Sequence, residues 1–152
     1  MIEGAVLKNL KRIDDDRGWL MEMMRSDWPE YEVFGQAYVT SCKPGIAKAW
    51  HYHKKQADHF VVVKGVALVV LYDPREDSAT KGELNEFIMS PQQPQLLKIP
   101  MGVYHGFTAI GEGDARIVNM PTMLYDYKEP DEHRLPYDDK SIGYDWRCKS
   151  GG

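Results

Sequence analysis

Short apolar runs separated by turn residues dominate the chain, and few of them recur at the 3.6-residue spacing of a helix. Strands are the economical reading, predicted over 6–13, 19–24, 35–42, 47–53, 58–64, 66–72, 83–90, 95–99, 104–110 and 115–120. Turn signals separate them at Arg17-Gly18, Pro44-Gly45, Lys64-Gly65, 91–94 and 111–114. Short strands at this spacing predict a β-sandwich or barrel. The runs FVVVKG and VALVVLY are apolar at consecutive positions, which implies burial on both faces. A second subunit is expected to cover the outer face. From Tyr125 to Cys148 proline, acidic residues and tyrosine prevail, and we expect an ordered wrap with a turn or two of helix.

Composition narrows the classes of function. A length of 152 residues suits one domain with its own core, and a net charge of -4 argues against a nucleic-acid groove or an anionic membrane as partner. No apolar run is long enough for a membrane helix, and the polar start lacks a signal core, so a cytoplasmic location is expected. Cys42 and Cys148 are then expected to be reduced.

The candidate chemistry lies in the histidines, four of whose five fall in GIAKAWHYHKKQADHFVVVKG and PMGVYHGF. Residues two apart on a strand share a face, so His51 and His53 are expected to look into one cavity with Asp58 or His105 opposite. Imidazole moves protons near neutral pH and is a common metal ligand, so either chemistry is open. Other polar residues have plainer readings. His59 follows Asp58 and must face away, His133 is expected to be solvated, and Asp73 with Arg75 reads as a turn-stabilising ion pair. Trp50 and Phe60 are core residues or an aromatic wall for a ring-shaped ligand.

Gly45, His51, His53, Asp58 and Gly65 resemble the first motif of the cupin superfamily, with aspartate where glutamate is usual, and Pro100, Gly102 and His105 resemble the second. The resemblance implies an all-β cupin double-stranded β-helix, or jelly roll, formed by residues 1–152 as a single domain. It also leaves a metal reading open, with His51, His53, Asp58 and His105 holding one divalent ion.

A second resemblance runs over nearly the whole chain. DDRGWLMEM, GQAYVTSC, AWHYH, YDPREDSATKGE, IPMGVYHGF and PYDDKSIGYDW are similar to stretches of the dTDP-4-dehydrorhamnose 3,5-epimerase family. It implies a homodimer without a cofactor, whose early segment crosses to the partner's site. His51 is then the base that removes a proton beside a 4-keto group, where the carbanion delocalises as an enolate. Arg17, with Glu22 in the same motif, reaches a diphosphate across the dimer, and Gln36, Lys48 and His105 line the channel. Departures are also visible. Asn119 stands where the family carries its acid tyrosine, Lys48 replaces an arginine, and Asp58 falls at or near an active-site lysine. The carboxylate that orients the base lies, in the family, in a segment beyond the last residue here. His53, Asp58 and Tyr125 are the expected substitutes. The pattern His51, His53, Lys54 also resembles the sugar 3,4-ketoisomerases. The expected function is an epimerase or isomerase of a dTDP-, GDP- or CDP-linked 4-keto-6-deoxy sugar in surface-polysaccharide synthesis. A metal-dependent cupin and a non-catalytic sugar-binding cupin are the alternatives.

Overall fold

The computed structural model describes residues 1–152, and all of its regular structure is β. One five-stranded sheet runs in the order β1 (Val6–Asn9), β9 (Gln95–Ile99), β6 (Asp58–Lys64), β11 (Ala115–Asn119), β4 (Tyr38–Cys42). The facing six-stranded sheet runs β12 (His133–Arg134), β5 (Ile46–Tyr52), β10 (Tyr104–Ala109), β7 (Ala67–Tyr72), β8 (Leu84–Met89), with β13 (Ser150–Gly151) also on β5. A separate hairpin joins β2 (Arg12–Asp15) to β3 (Gly18–Met21). This is the two-sheet jelly roll that the strand pattern and the motifs predicted. The predicted strand over 6–13 is broken at Leu10, whose N–H turns to the Pro94 carbonyl, so its second half joins the hairpin instead.

Alternation sends Phe60, Val62, Val69, Leu71, Leu97, Phe107 and Ile117 into the space between the sheets. The outward residues of the same strands are buried too, and the chain itself covers them. Met23, Met24 and Trp28 pack over Val61, Leu96 and Met120, while Ile142 and Trp146 pack over Ala47, Trp50 and Val70. Full burial of one such side chain is worth about 1.5–3 kcal/mol, a strong reason for both flanking segments to dock. The doubly apolar runs therefore do not require a second subunit, contrary to the expectation from sequence.

The expected helical turn in the C-terminal wrap does not form. Pro130 and Pro136 interrupt the stretch. Its backbone groups go to β5 instead, with Leu135 and Trp50 exchanging both N–H···O=C bonds and β12 and β13 pairing along the same edge. An otherwise open strand edge is thereby closed. No helix is long and apolar enough to cross a membrane. His133, expected to be solvated, is half-buried, its ring against Tyr52 at 4.9 Å.

One irregularity sets the site. His105 pairs with His51 and Phe107 with Lys48, so Ala49 and Trp50 together oppose Gly106 alone, which makes a bulge in β5. Strict alternation from Lys48 would turn His51 outward. The extra residue restores the phase: Ala49 and Trp50 both join the outer cluster, and Lys48 and His51 both face inward. Gly106 permits this because a Cβ there would lie 2.3 Å from the Ala49 Cβ and 2.8 Å from the Lys48 carbonyl oxygen. We predict that Gly106→Ala lowers the unfolding free energy by about 1–3 kcal/mol, the usual penalty of overpacking. Urea denaturation checks this, and an unchanged midpoint would contradict the packing argument.

Candidate active site

A cleft of about 640 Å³ opens between the ends of the two sheets. The five-stranded sheet contributes Tyr38, Thr40 and Phe60, the six-stranded sheet Lys48, His51 and His105, and the segment leading into β12 closes the third side. Trp50 is excluded from the cleft and fully buried in the outer cluster, whereas Phe60 lines it, edge-on to His105 at 5.6 Å.

Asp58 lies behind the histidines, 1% exposed. Its Oδ2 is 3.1 Å from His53 Nε2 and 3.2 Å from His105 Nε2, and Gln56 Nε2 donates to Oδ1 at 2.9 Å. Burial by itself would raise this carboxyl, but His105 and His53 override it and hold it well below the usual carboxylate range. His53 Nδ1 lies 2.5 Å from the Asp131 carbonyl oxygen, which only accepts, so Nδ1 carries a proton. The Nε2 facing Asp58 is then charged in the second protonation. Burial opposes that charge, yet Asp58 and Asp131 prevail and raise the His53 pKa above its ordinary value. The Asp131 carboxylate also accepts from the Lys54 and Lys55 N–H groups at 2.9 and 2.8 Å, fastening the closing segment to the His53 turn.

His51 is shifted the opposite way. Burial first, then the nearby His105 and Arg134, push its pKa down to about 4 against the pull of Glu132. At neutral pH it is a neutral imidazole. Its Nδ1 stands 3.5 Å from Glu132 Oε1, and Arg134 Nη2 donates to that same oxygen at 2.8 Å. Glu132 favours the Nδ1–H tautomer, which leaves the other ring nitrogen unprotonated to take up a proton.

Several expectations are revised by this geometry. Asp58 engages His53 and His105, and the carboxylate beside His51 is Glu132. The proposed metal set loses His51, because only His53, Asp58 and His105 bring donor atoms within 4.8 Å of one another. Asn119 is fully buried and does not line the cleft; its Oδ1 accepts from the His59 N–H and its Nδ2 donates to the Tyr38 hydroxyl. Gln36, Lys48 and Tyr125 do line the cleft. Arg17 and Glu22, whose expected role lies across a dimer in the partner's cleft, stand outside this chain's own: Arg17 is at the β2–β3 tip beside Asp15 and Glu22 is beside Arg25. His59 is packed, as expected, between the Met120 and Glu30 carbonyl oxygens, and Asp73 grips Arg75 at 2.8 Å with Ser78 and Thr80. Tyr38, Lys55, Glu132 and Arg134 were missed by the sequence reading. Tyr38 lay in a recognised stretch, but Glu132 and Arg134 had no signal beyond an acidic, proline-rich surrounding.

The family model described as dTDP-4-dehydrorhamnose 3,5-epimerase matches residues 1–151. The "Spore coat polysaccharide biosynthesis protein SpsL" of Bacillus subtilis is 47% identical over 149 residues, 98% of this chain and 99% of that protein. The "Probable low-salt glycan biosynthesis epimerase Agl13" of Haloferax volcanii is 45% identical over 153 residues, 99% of this chain and 98% of that protein. Among solved structures, a dTDP sugar isomerase from Desulfovibrio desulfuricans superposes with a TM-score of 0.90 at 34% identity, covering 95% of this chain and 92% of that one.

The opposite shifts of the two histidines have a measurable consequence. An unfolded His51 takes up its proton near pH 6.5, the folded one only near 4, so its contribution to stability is present above pH 6.5 and lost as pH falls between those values. His53, with its raised pKa, contributes fully below pH 6.5 and loses that contribution as pH rises through its folded value. In an NMR titration we expect a His51 midpoint near 4 and a His53 midpoint above the ordinary histidine value. A His51 midpoint at 6.5 or higher would contradict the assignment.

Proposed function

The chain belongs to the dTDP-4-dehydrorhamnose 3,5-epimerase family, and from that membership we propose that it inverts a carbon next to the keto group of a nucleotide-linked 4-keto-6-deoxy sugar during glycan or polysaccharide synthesis. The observation that carries this reading is the neutral His51 imidazole facing the cleft, with His53, raised by Asp58, two residues along the same edge. Acting as base, His51 takes the proton of the C–H bond beside the carbonyl. The C–H electron pair moves into the ring as the enolate double bond, and the carbonyl π pair moves to oxygen. Charge that develops on that oxygen needs a cation or donor already in place, and Lys48 and Arg134 supply positive charge in the cleft while His53 offers a ring N–H. Lys48 is held by its bond to Thr40 Oγ1 at 2.7 Å, and Lys55 and Arg134 are further partners for a diphosphate. The roles of SpsL and Agl13 in their names support a place in surface-glycan synthesis.

A second reading rests on the convergence of His53, Asp58 and His105. A divalent ion held there would polarise the keto oxygen as a Lewis acid. In the metal-free reading Gln56 donates to Asp58 Oδ1, while Oδ2 lies within ion-pair distance of both imidazoles as an ion triad but forms no hydrogen bond, an orphan that a divalent ion would also satisfy.

The test is solvent exchange in D₂O with dTDP-, GDP- and CDP-linked 4-keto-6-deoxy sugars. A positioned general base contributes about 10²–10⁴-fold, so His51→Ala should slow deuterium incorporation by at least about 100-fold. Exchange that survives chelation, in protein carrying far less than one metal ion per chain, supports the ion-triad reading; loss on chelation and recovery with metal supports the other. No exchange with any sugar favours the binding-protein alternative.

We also propose that two chains pair, with the β2–β3 hairpin crossing to the partner's cleft. Ile13, Trp19 and Leu20 are exposed on this hairpin, an apolar set that pairing would cover. Sedimentation should give a dimer, and Arg17→Ala should raise KM for the nucleotide sugar about tenfold or more with little change in kcat. A monomer with full activity would refute the arrangement.

A further inference from the structure

An enolate carbon is flat, and inversion requires the proton to leave from one face and return to the other. A single histidine can only return it to the face it came from, which restores the starting sugar. Building on the epimerase reading above, we infer that Tyr38 is the acid that delivers the returning proton opposite His51.

The placement comes from topology. His51 is on β5 of the six-stranded sheet and Tyr38 on β4 of the five-stranded sheet, and both line the cleft between the sheets. A ring bound there has the imidazole on one side and the phenol on the other. Along β4, Tyr38 and Thr40 face the cleft, while Val39 is exposed on the outer face. The other hydroxyls in the cleft are less suited. Thr40 is occupied by Lys48. Tyr127 is 90% exposed, and Tyr125 packs against it at 5.1 Å on the closing segment.

The Tyr38 hydroxyl is held in a way that frees its proton. Asn119 Nδ2, which can only donate, reaches the phenol oxygen at 2.9 Å, so the oxygen accepts and its own hydrogen has no protein acceptor. Asn119 is itself immobilised: it is fully buried, paired across the strands with Tyr38, and its Oδ1 is held by the His59 N–H at 3.0 Å. A buried amide with both ends committed in this way acts as a rigid mount for the phenol. The hydroxyl absent from position 119 is thereby supplied from the neighbouring strand. Burial first, and then the Asp58 charge, push the phenol up to about 12 against the opposing effect of Asn119, so the proton is present at neutral pH. Transfer to the enolate carbon runs downhill because a ketone's α-carbon is a weaker acid than a phenol, and the phenolate left behind keeps the Asn119 N–H.

The experiment separates exchange from inversion. The dTDP-, GDP- and CDP-linked 4-keto-6-deoxy sugars are incubated in D₂O with the intact protein and with Tyr38→Phe, Tyr38→Gln, Tyr125→Phe and His51→Ala. The glutamine variant keeps an oxygen for Asn119 but has no acidic proton, and guards against a folding defect in the phenylalanine variant. Both Tyr38 variants should still incorporate deuterium within a few-fold of the intact protein, through His51 alone, while the inverted product falls at least about 100-fold. Tyr125→Phe should change exchange and inversion together, by the same factor. Normal inversion in either folded Tyr38 variant, equal loss of exchange and inversion in both, or the split appearing in Tyr125→Phe would each overturn the assignment. If the intact protein exchanges no better than His51→Ala, the epimerase reading itself fails and takes this inference with it.

Discussion

The buried carboxylate of Asp58 is the constraint on which the rest of the site depends. It sits at the start of β6 with almost no contact with water, and a charge so placed is costly unless partners stand close to its oxygens. The partners come from three separate places: His53 beyond β5, His105 on β10 and Gln56 just before β6. Breaking such a pair from one side costs about 3–5 kcal/mol, so both sheets are tied together at the mouth of the cleft by one group. The site is thereby formed before any ligand arrives.

That arrangement also separates the two imidazoles chemically. His53 gains a carboxylate and its pKa is raised, whereas His51 lacks a comparably close one and is pushed down by burial first and then by the nearby His105 and Arg134. Two titratable groups of one type are pushed in opposite directions by their surroundings, the pattern expected where one must take a proton and another hold one more firmly. The C-terminal wrap takes part directly. Arg134 pairs with His51 along β5, Glu132 stands at its Nδ1, and Asp131 anchors the segment beneath His53. The segment that completes the outer face of the six-stranded sheet is therefore the one that tunes the base.

The two flanking segments act as outer layers of the sandwich, and this explains strands that are apolar on both faces. Met23, Met24 and Trp28 on one side and Ile142 and Trp146 on the other do what a partner subunit was expected to do. The β2–β3 hairpin leaves Trp19 and Leu20 exposed, as Val33, Phe34 and Val39 are in and before β4.

Much of this was legible in the residues themselves. Short apolar runs bounded by turn residues located ten of the strands to within a few residues, because burial is a local demand made on each strand separately. The spacing of His51, His53, Asp58 and His105 marked the cluster, and the matched stretches marked the family. Three features were decided only in three dimensions. The bulge at Ala49 and Trp50 brings Lys48 and His51 to one face, and it exists because Gly106 on another strand lets β5 approach. Glu132 becomes the carboxylate of His51 through the pairing of β12 with β5, 81 positions along the chain from one residue to the other. Asn119 left the cleft and became the mount for Tyr38 because β11 and β4 are neighbours. Patterning along a chain reports which face of a strand is wet; it carries no record of which strand lies alongside, and each of these three contacts is made across strands.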